Sequence, residues 1–450
     1  MKKFRVLATA VAAAAFLAAC GGNDAGDQSP RVAFTQMVNF GDSLSDVGTY
    51  KTQIVGINGG GHYSINGDLS ADGLPYTNWT EYLAAQLQVP QPCAAEVGLE
   101  SPQTPSPQGD PAPLYFLAQP PVDSTTCTSY AQGGSRVTDE HGPSNAYYWT
   151  QYGQTSGALG QITKPVVDQI STYLAANGNK FSDSQIITVF AGGNDLFIDR
   201  ALLVDAQVQG ILTAEQAGQI SQADAATAIQ AAATNAIAAM TQAGTDLAKL
   251  VTGQIIANGG THVIVVDLPD VSLTPDNAIW ISSPTTGAGP FVEPLHPHLT
   301  LDMTTAFNAA LAAGLSVDAG TQRSSLPQVA WVDAFTASQQ QAATPSAYGL
   351  TNVTVPACNL ATGNAALPSN PGETGLTIPA GTSTPSFFVP LASSLFCTPT
   401  TLITDSANAT ATDPNGVFRY EYADTVHPTP YGYRLLAELV GEQLAIQGWL

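Results

Sequence analysis

The sequence predicts an α/β fold of three layers, in which helices cover both faces of a parallel sheet. Short runs of β-branched and apolar residues alternate along the chain with longer segments of helical periodicity. The short runs are nearly continuous in apolar residues, as expected of parallel strands buried on both faces. Apolar residues make up 44% and charged residues 11% of the 450 positions, which is typical of a globular protein.

Four apolar runs are predicted to be strands, and each ends at a glycine, a proline or an aspartate turn. They cover residues 36–40, 185–190, 262–266 and 329–333. Helices are predicted over residues 77–88, 213–256 and 431–449, the second of them as one long alanine-rich helix. Strands that alternate with helices in this way are connected by right-handed crossovers.

Two stretches interrupt this alternation, residues 91–128 and 355–415, and both are rich in Pro, Thr, Ser and Gly. We interpret them as loop insertions in a single domain that extends over residues 34–450. Two roles remain open for them: they wall the active site, or they are surface loops that serve stability.

Cysteine usage indicates disulfides, because four cysteines remain after the one near the N-terminus. Cys93, Cys127, Cys358 and Cys397 allow three pairings. The local pairs Cys93–Cys127 and Cys358–Cys397 are favoured, since each closes one of the two insertions. No Cys or His cluster has the spacing of a zinc site, so no metal is expected.

The N-terminus has the features of a cleaved export signal. Lys2, Lys3 and Arg5 precede an apolar run, and the segment LAAC ends it at Cys20. We interpret residues 1–19 as a lipoprotein signal peptide, Cys20 as the lipidation site and residues 20–33 as a flexible tether. The alternative is an ordinary signal peptide with an incidental cysteine. The expected location is the cell envelope, at the outer membrane or the cell surface.

The charge balance restricts the partners. With 13 Lys and Arg against 35 Asp and Glu, the formal net charge is −22. Nucleic acid and anionic lipid both require a basic face, so neither is expected as a partner. Contact with the membrane is expected through the lipid anchor only, and the protein is expected to be a monomer.

A candidate nucleophile lies where the first predicted strand ends, in the segment GDSLSD at residues 41–46. Ser43 is placed there at the carboxyl edge of the sheet, where ligands bind in open α/β folds. Near the C-terminus, Asp424 precedes His427 by three residues. That spacing allows the carboxylate to orient the imidazole while its other nitrogen takes the proton of Ser43.

Acyl transfer also requires hydrogen-bond donors for an oxyanion. Asn194 follows the strand at 185–190, and the segment YAQGGSR at 130–136 supplies glycine amides. Gly134 is the favoured glycine, although Gly133 stays open. The backbone N–H of Ser43 is expected to be the third donor. Asp46 is expected to have a structural role, as the cap of a helix after the nucleophile.

Four segments in order, GDSLSD, YAQGGSR, AGGND and DTVHP, resemble the sequence blocks of the GDSL/SGNH hydrolase family. The resemblance runs from about residue 36 to 450. It implies a flavodoxin-like SGNH fold, the nucleophile at Ser43, the acid and base at Asp424 and His427, and oxyanion donors at Ser43, Gly134 and Asn194. The nearest branch is that of secreted bacterial lipases and phospholipases, here in a lipoprotein form without the export barrel that some members carry.

The resemblance implies a serine esterase or lipase that cleaves small-molecule or lipid acyl esters without a cofactor. An acyltransferase, a phospholipase or a carbohydrate deacetylase would use the same residues. A non-catalytic, lipid-anchored surface protein is the alternative outside enzymes. No motif determines the acyl chain length or the alcohol.

Overall fold

The computed structural model describes residues 31–52, 55–56, 59–67, 75–99, 119–143, 163–282, 287–359 and 394–450. The predicted signal peptide, Cys20 and most of the predicted tether lie outside the described residues. The strands are β1 (Gln36–Gly41), β2 (Glu96–Leu99), β3 (Gln119–Asp123), β4 (Gln185–Phe190), β5 (Val263–Val266), β6 (Val317–Asp318), β7 (Arg323–Ser324) and β8 (Val329–Val332). The α-helices are α1 (Trp79–Leu87), α2 (Val166–Ala176), α3 (Gly193–Asp199), α4 (Ala206–Gln216), α5 (Gln222–Leu250), α6 (Pro275–Ser282), α7 (Gly289–Val292), α8 (Leu299–Gly314), α9 (Ala334–Ala343) and α10 (Pro430–Gln447).

The central sheet is parallel and has the strand order β1-β4-β5-β8. On the other side of β1, Ser129 forms a parallel bridge with Asn39, so this short segment extends the sheet at that edge. The chain therefore turns to one side of β1 first and continues on the other side from β4 onward. Such a reversal of strand order opens a crevice at the carboxyl ends of β1 and β4, where ligands bind in folds of this class.

Helices cover both faces of the sheet. Every residue of β4, β5 and β8 is buried, although successive side chains point to opposite faces. Helix α10 packs on β8 and α1, α2 packs on β1, and α5 packs along α8. Burial of each large apolar side chain contributes roughly 1.5–3 kcal/mol, so this two-sided burial is the main source of stability. The predicted three-layer α/β fold is confirmed, and the four predicted strands agree with β1, β4, β5 and β8 to within one residue at each end.

The helix predicted over residues 213–256 is wrong in its extent. The structure has two helices there, α4 and α5, separated by a turn with Gly218 in a left-handed conformation (φ 69°). Ser221 then starts α5 with a capping box, because its side chain accepts the N–H of Asp224 while the Asp224 carboxylate accepts the N–H of Ser221. The alanine-rich composition on both sides hid this break. No helix in the described ranges is long and apolar enough to cross a membrane.

Both favoured disulfides are present. Cys93 is bonded to Cys127, with 5.1 Å between their Cα atoms, next to the antiparallel pair β2–β3. Cys358 is bonded to Cys397, with 5.9 Å between their Cα atoms. The described parts of the two insertions are residues 91–99 and 119–128 in the first, and 355–359 and 394–415 in the second. The assignment of residues 34–450 to a single domain stays a prediction.

Candidate active site

Ser43 lies in a tight turn directly after β1. The turn is held by Asp42, whose Oδ1 accepts the N–H of Leu44 at 2.9 Å. At its start, Gly41 approaches β4 so closely that a Cβ atom there would lie 2.2 Å from the carbonyl oxygen of Phe190. A glycine is therefore required at this position. The turn presents the Ser43 hydroxyl at the carboxyl edge of the sheet, as the sequence predicts.

His427 and Asp424 lie on one loop immediately before α10. Asp424 Oδ1 accepts the backbone N–H groups of Val426 (2.9 Å) and His427 (2.7 Å), which closes the loop on itself. The other oxygen of Asp424, Oδ2, lies 2.7 Å from Nδ1 of His427. Nε2 of the same ring lies 2.7 Å from Oγ of Ser43. The three side chains thus form one continuous hydrogen-bonded row.

The carboxylate of Asp424 is kept charged in a buried place. Only 1% of the residue is exposed, and this burial opposes ionisation. The charge of His427 and the hydrogen bonds from His427 and Val426 outweigh the burial, so the pKa of Asp424 lies below its usual value. A further donor, the backbone N–H of Ser394, meets Oδ2 at 2.5 Å. An ionised Asp424 can orient His427 and stabilise its protonated form.

The two glycines that the sequence leaves open are distinguished by their hydrogen bonds. The N–H of Gly133 donates to Oδ2 of Asp46 at 2.8 Å and is therefore occupied. The N–H of Gly134 meets no acceptor in the described part of the chain, and Gly134 has a positive φ of 87°. Gly134 and Ser43 both line the same cleft. Of the two glycine amides, that of Gly134 is available to an oxyanion.

Asn194 also lines this cleft, in the first turn of α3. One of its Nδ2 hydrogens donates to the carbonyl oxygen of Ser135 at 2.9 Å. An amide group has two N–H donors, so a second one is left for a ligand. The bond to Ser135 fixes the side chain of Asn194 relative to the glycine loop.

A buried ion-pair network joins the glycine loop that carries Gly134 to α3, which carries Asn194. Arg136 donates to Asp195 and Asp199, each at 3.2 Å. Burial raises the pKa of Asp195 and of Asp199 to about 6 in each case, although the Arg136 charge acts in the opposite direction. The glycine loop and α3 are therefore held together by Arg136, which lies two residues after Gly134, and by Asp195 and Asp199, which lie one and five residues after Asn194.

The cleft around Ser43 has a volume of about 400 Å³ and a mainly apolar lining. Leu44, Leu268, Val271 and Val426 contribute to its walls. The ring of Tyr63 lies 4.8 Å from that of His427, centroid to centroid. Among the described residues, no group of three or more His, Cys, Asp or Glu side chains is placed to hold a metal ion.

Some contacts of the site are not indicated by any sequence pattern. Residues 44–52, directly after the nucleophile, form no helix, and Asp46 instead accepts the N–H groups of Gly48, Thr49 and Gly133. Ser394 acts through its backbone, so its side chain gives no indication of its contact with Asp424. Tyr63 lies between two sequence blocks and resembles any core tyrosine. By contrast, the contact between Asp46 and Gly133 has a sequence signal, since Asp46 is the second aspartate of GDSLSD.

A hydroxyl, an imidazole and a buried carboxylate in one row are the arrangement that serine hydrolases use, and the Gly134 N–H, which meets no acceptor among the described residues, lies in the same cleft. The profile of the GDSL-like lipase/acylhydrolase family matches residues 37–440. The chain therefore belongs to the GDSL-like lipase/acylhydrolase family, which supports a hydrolase of ester substrates. A search of curated proteins finds no match to the chain.

Proposed function

We propose that the protein is a carboxylic ester hydrolase that works through a covalent acyl-enzyme on Ser43. The observation that carries this proposal is the hydrogen-bonded row from Asp424 through His427 to Ser43, with 2.7 Å at each of its two contacts. A serine hydroxyl is a weak nucleophile by itself and needs an adjacent base within hydrogen-bond reach. His427 meets this requirement, and it lines the same cleft as Ser43.

The first half of the reaction forms the acyl-enzyme. Nε2 of His427 takes the proton of Ser43 as Oγ attacks the ester carbonyl carbon. The carbonyl oxygen becomes an oxyanion, which accepts hydrogen bonds from the N–H groups of Ser43 and Gly134 and from Nδ2 of Asn194. When the intermediate collapses, the alcohol leaves with the proton that His427 returns to it.

The second half repeats this sequence with water. His427 removes a proton from a water molecule, the resulting hydroxide attacks the acyl carbon, and the acid is released as Ser43 recovers its proton. Asp424 keeps the imidazole in the tautomer that has its free lone pair on Nε2, and it stabilises the imidazolium formed in each half. Every proton in this scheme is carried by side chains of this chain.

The test is hydrolysis of p-nitrophenyl acetate, butyrate, octanoate and palmitate by the wild-type protein and by Ser43→Ala. We expect activity in the wild type only, and the chain-length profile separates an esterase from a lipase. Ser171→Ala is the matched control, because Ser171 is an exposed serine of α2 far along the chain from the site. In the wild type, mass spectrometry of the quenched protein should find the acyl group on the peptide that contains Ser43. Equal rates for wild type and Ser43→Ala would contradict the proposal.

We also propose that the chain is exported and anchored by a lipid on Cys20 as a monomer. The two disulfides support export, because such bonds form and persist in oxidising compartments. Cys20→Ser should move the protein from the membrane fraction to the soluble fraction. A wild-type protein found only in the soluble fraction would overturn the lipid anchor, and one retained in the inner membrane would overturn the expected outer-membrane or surface location.

A further inference from the structure

A second, smaller cavity lies behind the wall of the catalytic cleft. Its volume is about 80 Å³, and its lining is mostly apolar. It extends between α9, α10 and the loop that carries His427, with Ala337 from α9 and Leu436 from α10 in its wall. None of the residues proposed for the chemistry lines this cavity, so the reaction scheme above leaves it without a role.

The cavity and the cleft share one partition. Four residues line both spaces: Leu44, Pro269, Thr274 and Val426. Two of them are sequence neighbours of the proposed catalytic residues, since Leu44 follows Ser43 and Val426 precedes His427. An acyl group bonded to Oγ of Ser43 is therefore close to this partition, and the cavity is adjacent space for its chain.

One polar group in the mostly apolar lining of the cavity, the carboxyl of Glu421, has an atom without a hydrogen-bond partner among the described residues. Glu421 lines it, and Oε2 of this carboxyl is buried without a hydrogen-bond partner in the described part of the chain. Burial raises the pKa of Glu421 to about 7. Two other polar residues of the lining are satisfied, since the hydroxyls of Thr274 and Ser338 donate to carbonyl oxygens. A buried polar atom left alone is costly, so a ligand that bonds to it gains affinity.

The carboxyl of Glu421 determines which chemical groups can form a hydrogen bond with its Oε2. A plain alkyl chain would leave Oε2 unsatisfied. A hydroxyl group can donate to the ionised carboxylate and can both donate to and accept from the neutral acid. It is therefore suited to a group whose charge changes near neutral pH, whereas an ammonium group matches the ionised form alone.

We propose that this cavity is the subsite for the acyl chain of the substrate, and that Glu421 receives a hydroxyl carried by that chain. The substrate class is then esters of short hydroxyalkanoic acids. This inference rests on the proposed ester hydrolase function and adds to it the identity of the acyl group.

The test compares kcat/KM for p-nitrophenyl acetate, butyrate, hexanoate, hydroxybutyrate and ω-hydroxyhexanoate. For the wild type we expect each hydroxyacyl ester to be preferred over its plain counterpart by on the order of tenfold or more, as for other sites built to bind a substrate hydroxyl. Glu421→Leu should remove or reverse this preference, and Glu421→Gln should retain much of it because an amide still bonds to a hydroxyl. None of these variants should lower the activity on acetate, which is too short to reach the cavity.

Filling the cavity is an independent arm of the test. Leu436→Phe should lower kcat/KM for hexanoate and ω-hydroxyhexanoate about tenfold or more, with acetate unaffected. Leu435→Phe is the matched control, because this neighbour on α10 lines neither space. Ala337→Val fills the same cavity from α9 and replaces Leu436→Phe if that variant does not fold.

The outcomes separate the two proposals. If acetate is cleaved in a Ser43-dependent manner but the wild type shows no preference for hydroxyacyl esters, the cavity proposal is wrong and the ester hydrolase stands. The same holds if the cavity-filling variants leave the chain-length profile unchanged. If no ester is cleaved in a Ser43-dependent manner, the proposed function is wrong and the subsite falls with it.

Discussion

Ser394 donates its backbone N–H to the same oxygen of Asp424 that meets His427. The distances to Oδ2 of Asp424 are 2.5 Å from the nitrogen of Ser394 and 2.7 Å from Nδ1 of His427. A second segment flanks Asp424 on its other side, where the N–H of Cys358 donates to the carbonyl oxygen of Ala423 at 2.9 Å. These two segments are joined covalently, because Cys358 is bonded to Cys397, three residues after Ser394.

Removing this disulfide should therefore affect the rate as well as the stability. For the double variant Cys358→Ala, Cys397→Ala we expect kcat to fall about tenfold or more with little change in KM, since Asp424 loses an ordered donor but the cleft remains. The control is Cys93→Ala, Cys127→Ala, which removes the other disulfide. Each pair should lower the free energy of unfolding by roughly 2–4 kcal/mol. Equal kcat values for the two double variants, measured well below their unfolding temperatures, would show that the disulfide does not position Asp424.

Asn194→Ala should lower kcat by about 10²–10³ while KM changes little, because the side-chain N–H is needed mainly when the oxyanion forms. The hydrogen bond to Ser135 is lost as well, which should cost about 1 kcal/mol of stability. Steady-state kinetics with p-nitrophenyl esters checks the first effect and urea unfolding the second. A variant with wild-type kcat would remove Asn194 from the oxyanion site.

Asp46→Asn tests the connection between the nucleophile turn and the glycine loop. The carboxylate of Asp46 accepts N–H groups from Gly48, Thr49 and Gly133, each at 2.8 Å. An amide can replace the carboxylate on one side only, because its NH₂ group faces an N–H where an acceptor is needed. We expect a loss of kcat of about tenfold and a lower melting temperature. Asp224→Asn, at the exposed start of α5, is the control. A wild-type kcat in Asp46→Asn would show that Asp46 does not position Gly134.

The stability of the protein should fall as the pH rises from about 4.5 to 7. Burial raises the pKa of Glu421 from 4.5 to about 7 in the folded state. Between these values the folded chain holds a proton that the unfolded chain has lost, so stability is full below the lower value and decreases toward the upper one. A shift of this size corresponds to a change on the order of 3 kcal/mol for this group.

Glu421→Gln should flatten this dependence. We expect the difference in unfolding free energy between pH 5 and pH 8, measured with urea, to be smaller in the variant than in the wild type. Asp42 contributes in the same direction, because burial raises its pKa to about 7, so some dependence should persist. Glu438→Gln, an exposed position on α10, is the control. If Glu421→Gln and Glu438→Gln give the same slope as the wild type, Glu421 is not the titrating group.

The sequence alone predicts the positions of those candidate site residues that act through their side chains. Ser43 and Asn194 each follow a predicted strand, and the ends of neighbouring parallel strands meet at one edge of the sheet. His427 and Asp424 were placed by their spacing. In contrast, the choice between Gly133 and Gly134 depended on which amide another residue occupies, and that is a property of the folded chain.

Other features escaped prediction for physical reasons. A backbone donor such as Ser394 can have almost any side chain, so its sequence position carries no pattern. The break before α5 was hidden because alanine favours helix on both sides of it, although Gly218 and the capping pair Ser221 and Asp224 were visible. The cavity at Glu421 is lined by Leu44, by α9 and by the segment from Glu421 into α10, which are distant from one another in sequence, so no local pattern indicates a space between them.

The proposed nucleophile and base are 384 residues apart in the chain. Ser43 follows β1 directly, whereas His427 lies just before α10. A chain still in synthesis therefore contains the proposed nucleophile without the proposed base. Under the proposed mechanism, ester hydrolysis requires that the segment with His427 has been synthesised and has packed against the turn that carries Ser43. The order of synthesis then keeps the unfinished protein inactive.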